Sequence, residues 1–321
     1  MNILVTGGAG FLGQRLIRSL LETGVPHVDG SNTPVTRVLV ADRAASDAFT
    51  DPRVEQRPGD IADPAYVQGL IDPDIDVVYH LAAVVSGEAE ANFDLGMRVN
   101  VDASRSLLEA CRATGRKIRV IFTSSVAVLG PDNGRDDPLV DPQSSYGMEK
   151  AVAELLLKDY ARRGFVDGLV LRLPTISVRP GKPNKAASSF ASGIVREPLS
   201  GLEAECPAPL DTSLWLLSPR CAIDNLVHAA SLDAGKLAQG RVINLPGLSV
   251  TVAEMLESLE RVGGAEARAR VVMKPDEAVI RIVANWPGRW DDSAARSLGF
   301  VADRDFDEII RNFIAEDLPN A

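Results

Sequence analysis

The chain opens Asn2-Ile3-Leu4-Val5-Thr6-Gly7-Gly8-Ala9-Gly10-Phe11-Leu12-Gly13, a short apolar strand that runs into glycines and then into an amphipathic segment. A strand, a glycine turn and a helix in immediate succession leave few folds open. Gly7 permits a tight turn, Gly10 lets backbone approach a pyrophosphate, and Gly13 allows the helix to pack closely on its strand. Phe11 and Leu12 begin a helix whose free N–H groups suit the phosphates. The glycine spacing is G-x-x-G-x-x-G, a variant of the more common dinucleotide fingerprint. A second apolar run, Val38-Leu39-Val40-Ala41, ends at Asp42. A carboxylate there takes both hydroxyls of an adenosine ribose and repels a 2′-phosphate, which favours NAD over NADP. Arg43, next in the chain, either helps hold a 2′-phosphate or lies over the adenine.

Apolar runs and amphipathic segments alternate further on. Strands are expected near 2–6, 37–42, 76–81, 118–123 and 168–173, and helices near 11–23, 64–71, 99–114, 145–163 and 251–262. Such alternation gives a doubly wound parallel α/β sheet of the Rossmann kind, with ligands beyond the carboxyl ends of the strands. Residues 1–173 would form the NAD-binding domain, with a later segment near 221–246 returning to it, and 174–321 would be mainly a smaller α/β substrate lobe. With 321 residues and 45% apolar content, the chain can bury a core for both. The stretch Asp29-Gly30-Ser31-Asn32-Thr33-Pro34 reads as an exposed loop.

Other chemistries find little support. Cys111, Cys206 and Cys221 show no disulfide or metal spacing, and His27, His80 and His228 are far apart in sequence. A formal charge of −10 argues against nucleic acid as a partner, and an anionic substrate would need a local basic pocket. The absence of long apolar runs argues against a membrane, so a cytoplasmic protein is expected.

Tyr146-Gly147-Met148-Glu149-Lys150 places a phenol and an ammonium on one helix face. A tyrosine acting as a base near neutrality needs its pKa lowered by roughly 3 units, or about 4 kcal/mol. One cation ~4 Å away at an effective dielectric of ~20 supplies energy on that order. Ser125 follows the apolar strand Val120-Ile121-Phe122, and Tyr146 begins the next helix, so both reach one pocket.

Taken with the glycine turn and Asp42, the segments Gly59-Asp60-Ile61, His80-Leu81-Ala82-Ala83, Asn100, Thr123-Ser124-Ser125, Tyr146 with Lys150, and Leu171-Arg172-Leu173-Pro174 resemble the extended short-chain dehydrogenase/reductases, the NAD-dependent epimerase/dehydratase family. The resemblance covers nearly the whole chain. It implies that Asp60 and Ile61 border the adenine, that Leu81, Ala82 and Ala83 pass under the cofactor, and that Leu173 lies beside it. It also implies that Asn100 braces backbone or water near the site. Ser125 would hold the oxygen on the reacting carbon, Tyr146 would act as base, and Lys150 would lower the tyrosine pKa and bind the nicotinamide ribose. Members often dimerise through two helices per subunit; here the helices near 99–114 and 145–163 are the candidates for a homodimer.

After Leu173 the chain runs Pro174-Thr175-Ile176-Ser177-Val178-Arg179-Pro180-Gly181-Lys182-Pro183-Asn184-Lys185. Its cations can form a carboxylate-binding lip, Arg179 as a bidentate fork and Lys185 as a point charge. Further on, Trp215 and Arg220 can supply an apolar wall and another guanidinium, although Trp215 also reads as core. Any of Arg179, Lys185 and Arg220 can neutralise a bound carboxylate. Sugar-nucleotide epimerases of the family carry a diphosphate-binding arginine where this chain has Ser218, and the dehydratases carry Thr-Asp-Glu where it has Thr123-Ser124-Ser125. The stretch from Leu171 to Arg220 resembles instead a branch acting on a four-carbon sugar acid at C2. A nucleotide-sugar 4-epimerase with tightly bound NAD is the alternative, and a non-catalytic NAD sensor the third reading.

Overall fold

A computed structural model of the chain describes residues 1–26, 31–131, 139–181, 186–233, 235, 237 and 241–318. Seven strands form its central sheet: β1 (Asn2–Thr6), β2 (Arg37–Asp42), β3 (Val54–Pro58), β4 (Val77–His80), β5 (Arg119–Ser125), β6 (Asp167–Leu173) and β7 (Val242–Asn244). Their spatial order is β3-β2-β1-β4-β5-β6-β7, with every neighbouring pair parallel. The order reverses between β1 and β4, and a crevice opens beyond the strand ends where it does so.

Period-two alternation within each strand decides which residues meet which layer. Ile3, Val5, Val38, Val40, Ile121 and Leu171 share one core with Leu16, Ile17 and Leu20 of helix α1 (Phe11–Thr23) and with the Pro219–Ser231 helix. Leu4, Leu39, Val78, Val120 and Val170 pack on the other face against helix α2 (Ala103–Ala113) and helix α3 (Ser145–Arg162). Both faces are thus buried, as a parallel sheet requires. A separate core gathers Val178, Ile194, Leu216, Met255, Leu259, Ile310 and Phe313. The chain passes from the sheet to that core just after Leu173.

Most expected elements occur within a residue or two of their places. The helix expected over 99–114 begins as a π-helical turn at Met97–Asp102 and becomes α2 only at Ala103. The expected loop at 29–34 is partly a strand: Asn32–Thr33 pairs antiparallel with Val25–Pro26, while residues 29 and 30 lie outside the described residues. β3 went unexpected because Val54-Glu55-Gln56-Arg57-Pro58 is polar; it is held at the sheet edge by backbone pairing and by Arg37, which bridges Glu55 and Asp72.

Candidate active site

The strand ends of β1, β4, β5 and β6 surround a cavity of about 340 Å³. The glycine turn contributes Gly7, Gly10, Phe11, Leu12 and Gly13, and the loop after β4 contributes Leu81 and Ala83. The turn is packed without slack: a Cβ on Gly7 would stand 2.7 Å from the Ala82 nitrogen, and one on Gly13 would overlap the Gly7 carbonyl. Gly10 is the N-cap of α1 and no side chain caps that end, so its first N–H groups are available to a phosphate. The chain's own residues therefore fit a dinucleotide. Asp42 lies at the end of β2 outside the cavity lining and accepts hydrogen bonds from Ala9 N at 3.0 Å and Arg43 N at 2.7 Å.

Ser125, Tyr146, Lys150 and Leu173 line the same cavity. Helix α3 is started by Ser144, whose Oγ accepts from Gly147 N, and Gly147 lies so close to the Ala127 carbonyl that any side chain would overlap it. That close approach brings Tyr146 to Ser125, whose hydroxyl hydrogen-bonds the phenol. Deeper in the sheet, Arg172 grips Glu154 of α3 through Nε at 2.9 Å and Nη2 at 2.7 Å, and Ser124 also hydrogen-bonds Glu154. A buried bidentate pair of this kind holds the helix in register with β5 and β6.

Electrostatics depart from the sequence expectation. Burial pushes the Tyr146 phenol up to about 12; Glu149 adds to the rise, whereas the Ser125 hydrogen bond and Arg179 oppose it. Lys150 is not the relieving cation, because its ammonium donates to the Thr123 carbonyl at 2.9 Å and stands 5.8 Å from the Tyr146 ring centre. Burial in turn lowers Lys150 to about 8, with Glu149 and Glu154 resisting.

Arg179 completes the cavity from the other core. Its backbone is clamped by Ser192 Oγ, which accepts from its N–H at 3.0 Å, and by Arg196 Nη1, which donates to its carbonyl at 2.7 Å. Its Nη2 is buried and has no hydrogen-bond partner among the described residues. Burial lowers its pKa, and neighbouring Arg196 lowers it further.

The remaining expected site residues are placed elsewhere. Ala82 sits behind the glycine turn, its N–H donating to Thr6 Oγ1 at 3.3 Å, and Ile61 is buried in the core under α2. Asp60 Oδ1 accepts from Ala62 N at 2.9 Å. Asn100 braces the backbone: its Oδ1 accepts from Val84 N at 2.9 Å while its Nδ2 donates to Val84 O at 3.1 Å and to Glu149 at 2.6 Å. Trp215 does not line the cavity; it packs against Trp290 in a tilted pair with ring centres 4.9 Å apart and donates to the Leu245 carbonyl. Arg220 does not line it either, being ion-paired with Glu316 on the surface. Lys185 lies outside the described residues. Sequence reasoning missed Trp286, which lines the cavity from a loop with no periodic pattern or motif to reveal it.

The model of the NAD dependent epimerase/dehydratase family matches residues 3–213. A D-erythronate dehydrogenase of Cupriavidus necator is 56% identical over 98% of each chain, and one of Haemophilus influenzae is 44% identical over 99% of this chain and all of its own. The crystal structure of a nucleoside-diphosphate-sugar epimerase from Agrobacterium tumefaciens superposes with a TM-score of 0.91 at 41% identity, covering all of this chain and 95% of that one. With a glycine turn, a parallel sheet and a Ser125–Tyr146–Lys150 cluster in one cavity, the chain belongs to the NAD-dependent epimerase/dehydratase family, the extended short-chain dehydrogenase/reductases, and its cofactor is NAD.

Proposed function

We propose that this protein is an NAD-dependent dehydrogenase that oxidises D-erythronate at C2 to the 2-oxo acid. The observation that carries the substrate class is the buried Nη2 of Arg179, which has no hydrogen-bond partner among the described residues, in the cavity that Ser125, Tyr146 and Lys150 also line. A buried guanidinium nitrogen that meets no described partner is costly, and a substrate carboxylate is the group that matches it in charge and geometry. The identity of the curated relatives supports the four-carbon acid.

NAD, when bound, accepts a hydride at its nicotinamide. In this reading the chain's residues do the rest. Gly7, Gly10 and Gly13 admit the pyrophosphate to the start of α1, and Asp42 takes the adenosine ribose hydroxyls. Asp60 and Ile61 border the adenine, and the loop of Leu81, Ala82 and Ala83, braced by Asn100, lies under the cofactor. Arg179 pairs with the carboxylate, which directs C2 towards Ser125. The Ser125 hydroxyl holds the C2 oxygen, and Tyr146 removes its proton. Because the phenol is mostly protonated at neutral pH, the base form is scarce and turnover climbs as pH rises. Lys150, fixed by the Thr123 carbonyl, is in place to bind the nicotinamide ribose.

A nucleotide sugar fits less well. Ser218, at the place of the epimerases' diphosphate-binding arginine, is buried; its Oγ accepts from Cys221 N at 3.1 Å and its N–H donates to Asp303 at 2.7 Å. NADH absorbance with NAD and D-erythronate tests the proposal. Net NADH is expected, with kcat/KM increasing towards alkaline pH, and Tyr146→Phe should lose roughly 10²–10⁴-fold while still binding NAD. No reduction with the acid, together with interconversion of a UDP-sugar, would replace it with the epimerase reading.

A further inference from the structure

We propose that Trp286 is the wall that limits the substrate to a short acid, and that removing it opens a second chamber to longer aldonates. The inference rests on the acid-dehydrogenase reading and adds the determinant of chain length. Beside the cavity just described lies another of about 510 Å³. Among the described residues, Trp286 is the one side chain that lines both. On the near side it shares the lining with Ser125, Tyr146 and Arg179. On the far side the lining includes Thr212, Ser213, Ser249 and Arg289, hydroxyl and guanidinium groups suited to the hydroxyls of a polyol tail.

The wall is anchored on both sides. Trp286 follows the Glu277–Val283 helix, which packs against the Ala187–Ser189 turn carrying Ser188. Trp286 N donates to the Val283 carbonyl at 3.1 Å. Downstream, a Cβ on Gly288 would come within 2.5 Å of Ser213 Oγ, so the backbone lies directly on the Ser213–Leu217 strand, and Trp290 is buried against Trp215. With the carboxylate held at Arg179 and C2 at Ser125 and Tyr146, a longer acid in this proposal extends towards the indole, the described residue shared with the second space. A smaller residue joins the two spaces, and the added carbons enter an open cleft where those polar groups stand beside Ile280, Val283 and Ala284.

The test compares wild type, Trp286→Ala and Trp286→Phe with D-erythronate, D-ribonate and D-gluconate, following NADH. Trp286→Ala should raise the ratio of kcat/KM for the five- and six-carbon acids over D-erythronate by at least about 10-fold, the effect of one or two carbons in a fitted site. Trp286→Phe, which keeps an aromatic ring in the loop, should shift the ratio by an intermediate amount. An unchanged ratio in both variants, or an equal fall with every acid, would overturn the proposal. Calorimetric binding of the three acids to NADH-loaded protein separates it from the reading beneath. If wild type turns over no acid, the dehydrogenase reading fails, yet the wall stands where Trp286→Ala gains affinity for the longer acids selectively. It falls where the binding ratio stays put or where no acid binds either protein.

Discussion

Arg172 and Arg179 lie on one stretch of chain, and both carry a buried guanidinium edge, but their surroundings differ. Arg172 is 9% exposed and is met on two nitrogens by Glu154, itself 4% exposed, with Asn244 Oδ1 on a third at 3.3 Å. Arg179 has a backbone clamped by Ser192 and Arg196 and a buried Nη2 that no described residue meets. The first arginine is finished by the fold; the second is held in position and left incomplete. A buried charge whose partner comes from the chain acts as structure, whereas one that meets no described partner is where the proposed function seats the substrate carboxylate.

That contrast can be broken at the first arginine. Arg172→Leu strands Glu154 in the interior without its cation and should destabilise the fold by about 3–5 kcal/mol, read as a lower midpoint in urea unfolding. A loss under about 1 kcal/mol would mean that Glu154 finds another partner, and the difference between the two arginines would shrink. Lys150 sharpens the contrast from the side of function. Its pKa, lowered from 10.5 to about 8, means that the unfolded chain binds a proton between those values that the folded chain does not. Stability therefore rises with pH across that window, and below pH 8 the whole penalty, on the order of 3 kcal/mol, is present. Lys150→Met removes the penalty but leaves the Thr123 carbonyl without its donor, so it should be about 2 kcal/mol more stable than wild type at pH 7, with the gap closing as pH approaches 10. Unfolding curves at neutral and alkaline pH check this, and a less stable variant at pH 7 would refute it. Smallest is Arg220→Ala. Its pair with Glu316 is solvent-exposed, so stability should change by less than about 1 kcal/mol and the kinetics with the acid not at all.

Local spacing made the end of the cavity lined by the glycine turn, Ser125, Tyr146 and Lys150 legible. The glycine turn, Ser125 at a strand end, and Tyr146 one helical turn from Lys150 each follow from a period or a turn requirement that the sequence displays directly. β1 and α1 were legible for the same reason. The opposite end depends on how segments without a period pack against each other. Arg220 reads as a free cation in the sequence, yet it finds Glu316 at a separation of 96 residues. Trp215 turns towards Trp290, and Trp286 reaches the cavity from a loop that no local rule points to. Magnitude, too, misled at one point: a cation one turn along the helix has the strength to relieve a tyrosine, but the Thr123 carbonyl holds that ammonium and burial outweighs what remains.

The most direct test of the unfinished charge is to compare D-erythronate with erythritol, the neutral polyol of the same carbon skeleton, in wild type and Arg179→Leu. If Arg179 is the carboxylate's partner, wild type should favour the acid by roughly 10²–10³ in kcat/KM, since removing one partner of a buried charged contact costs about 2–5 kcal/mol, and the variant should lose that preference while binding NAD as before and folding no less stably. A variant that still prefers the acid by the wild-type margin would show that the carboxylate is held elsewhere.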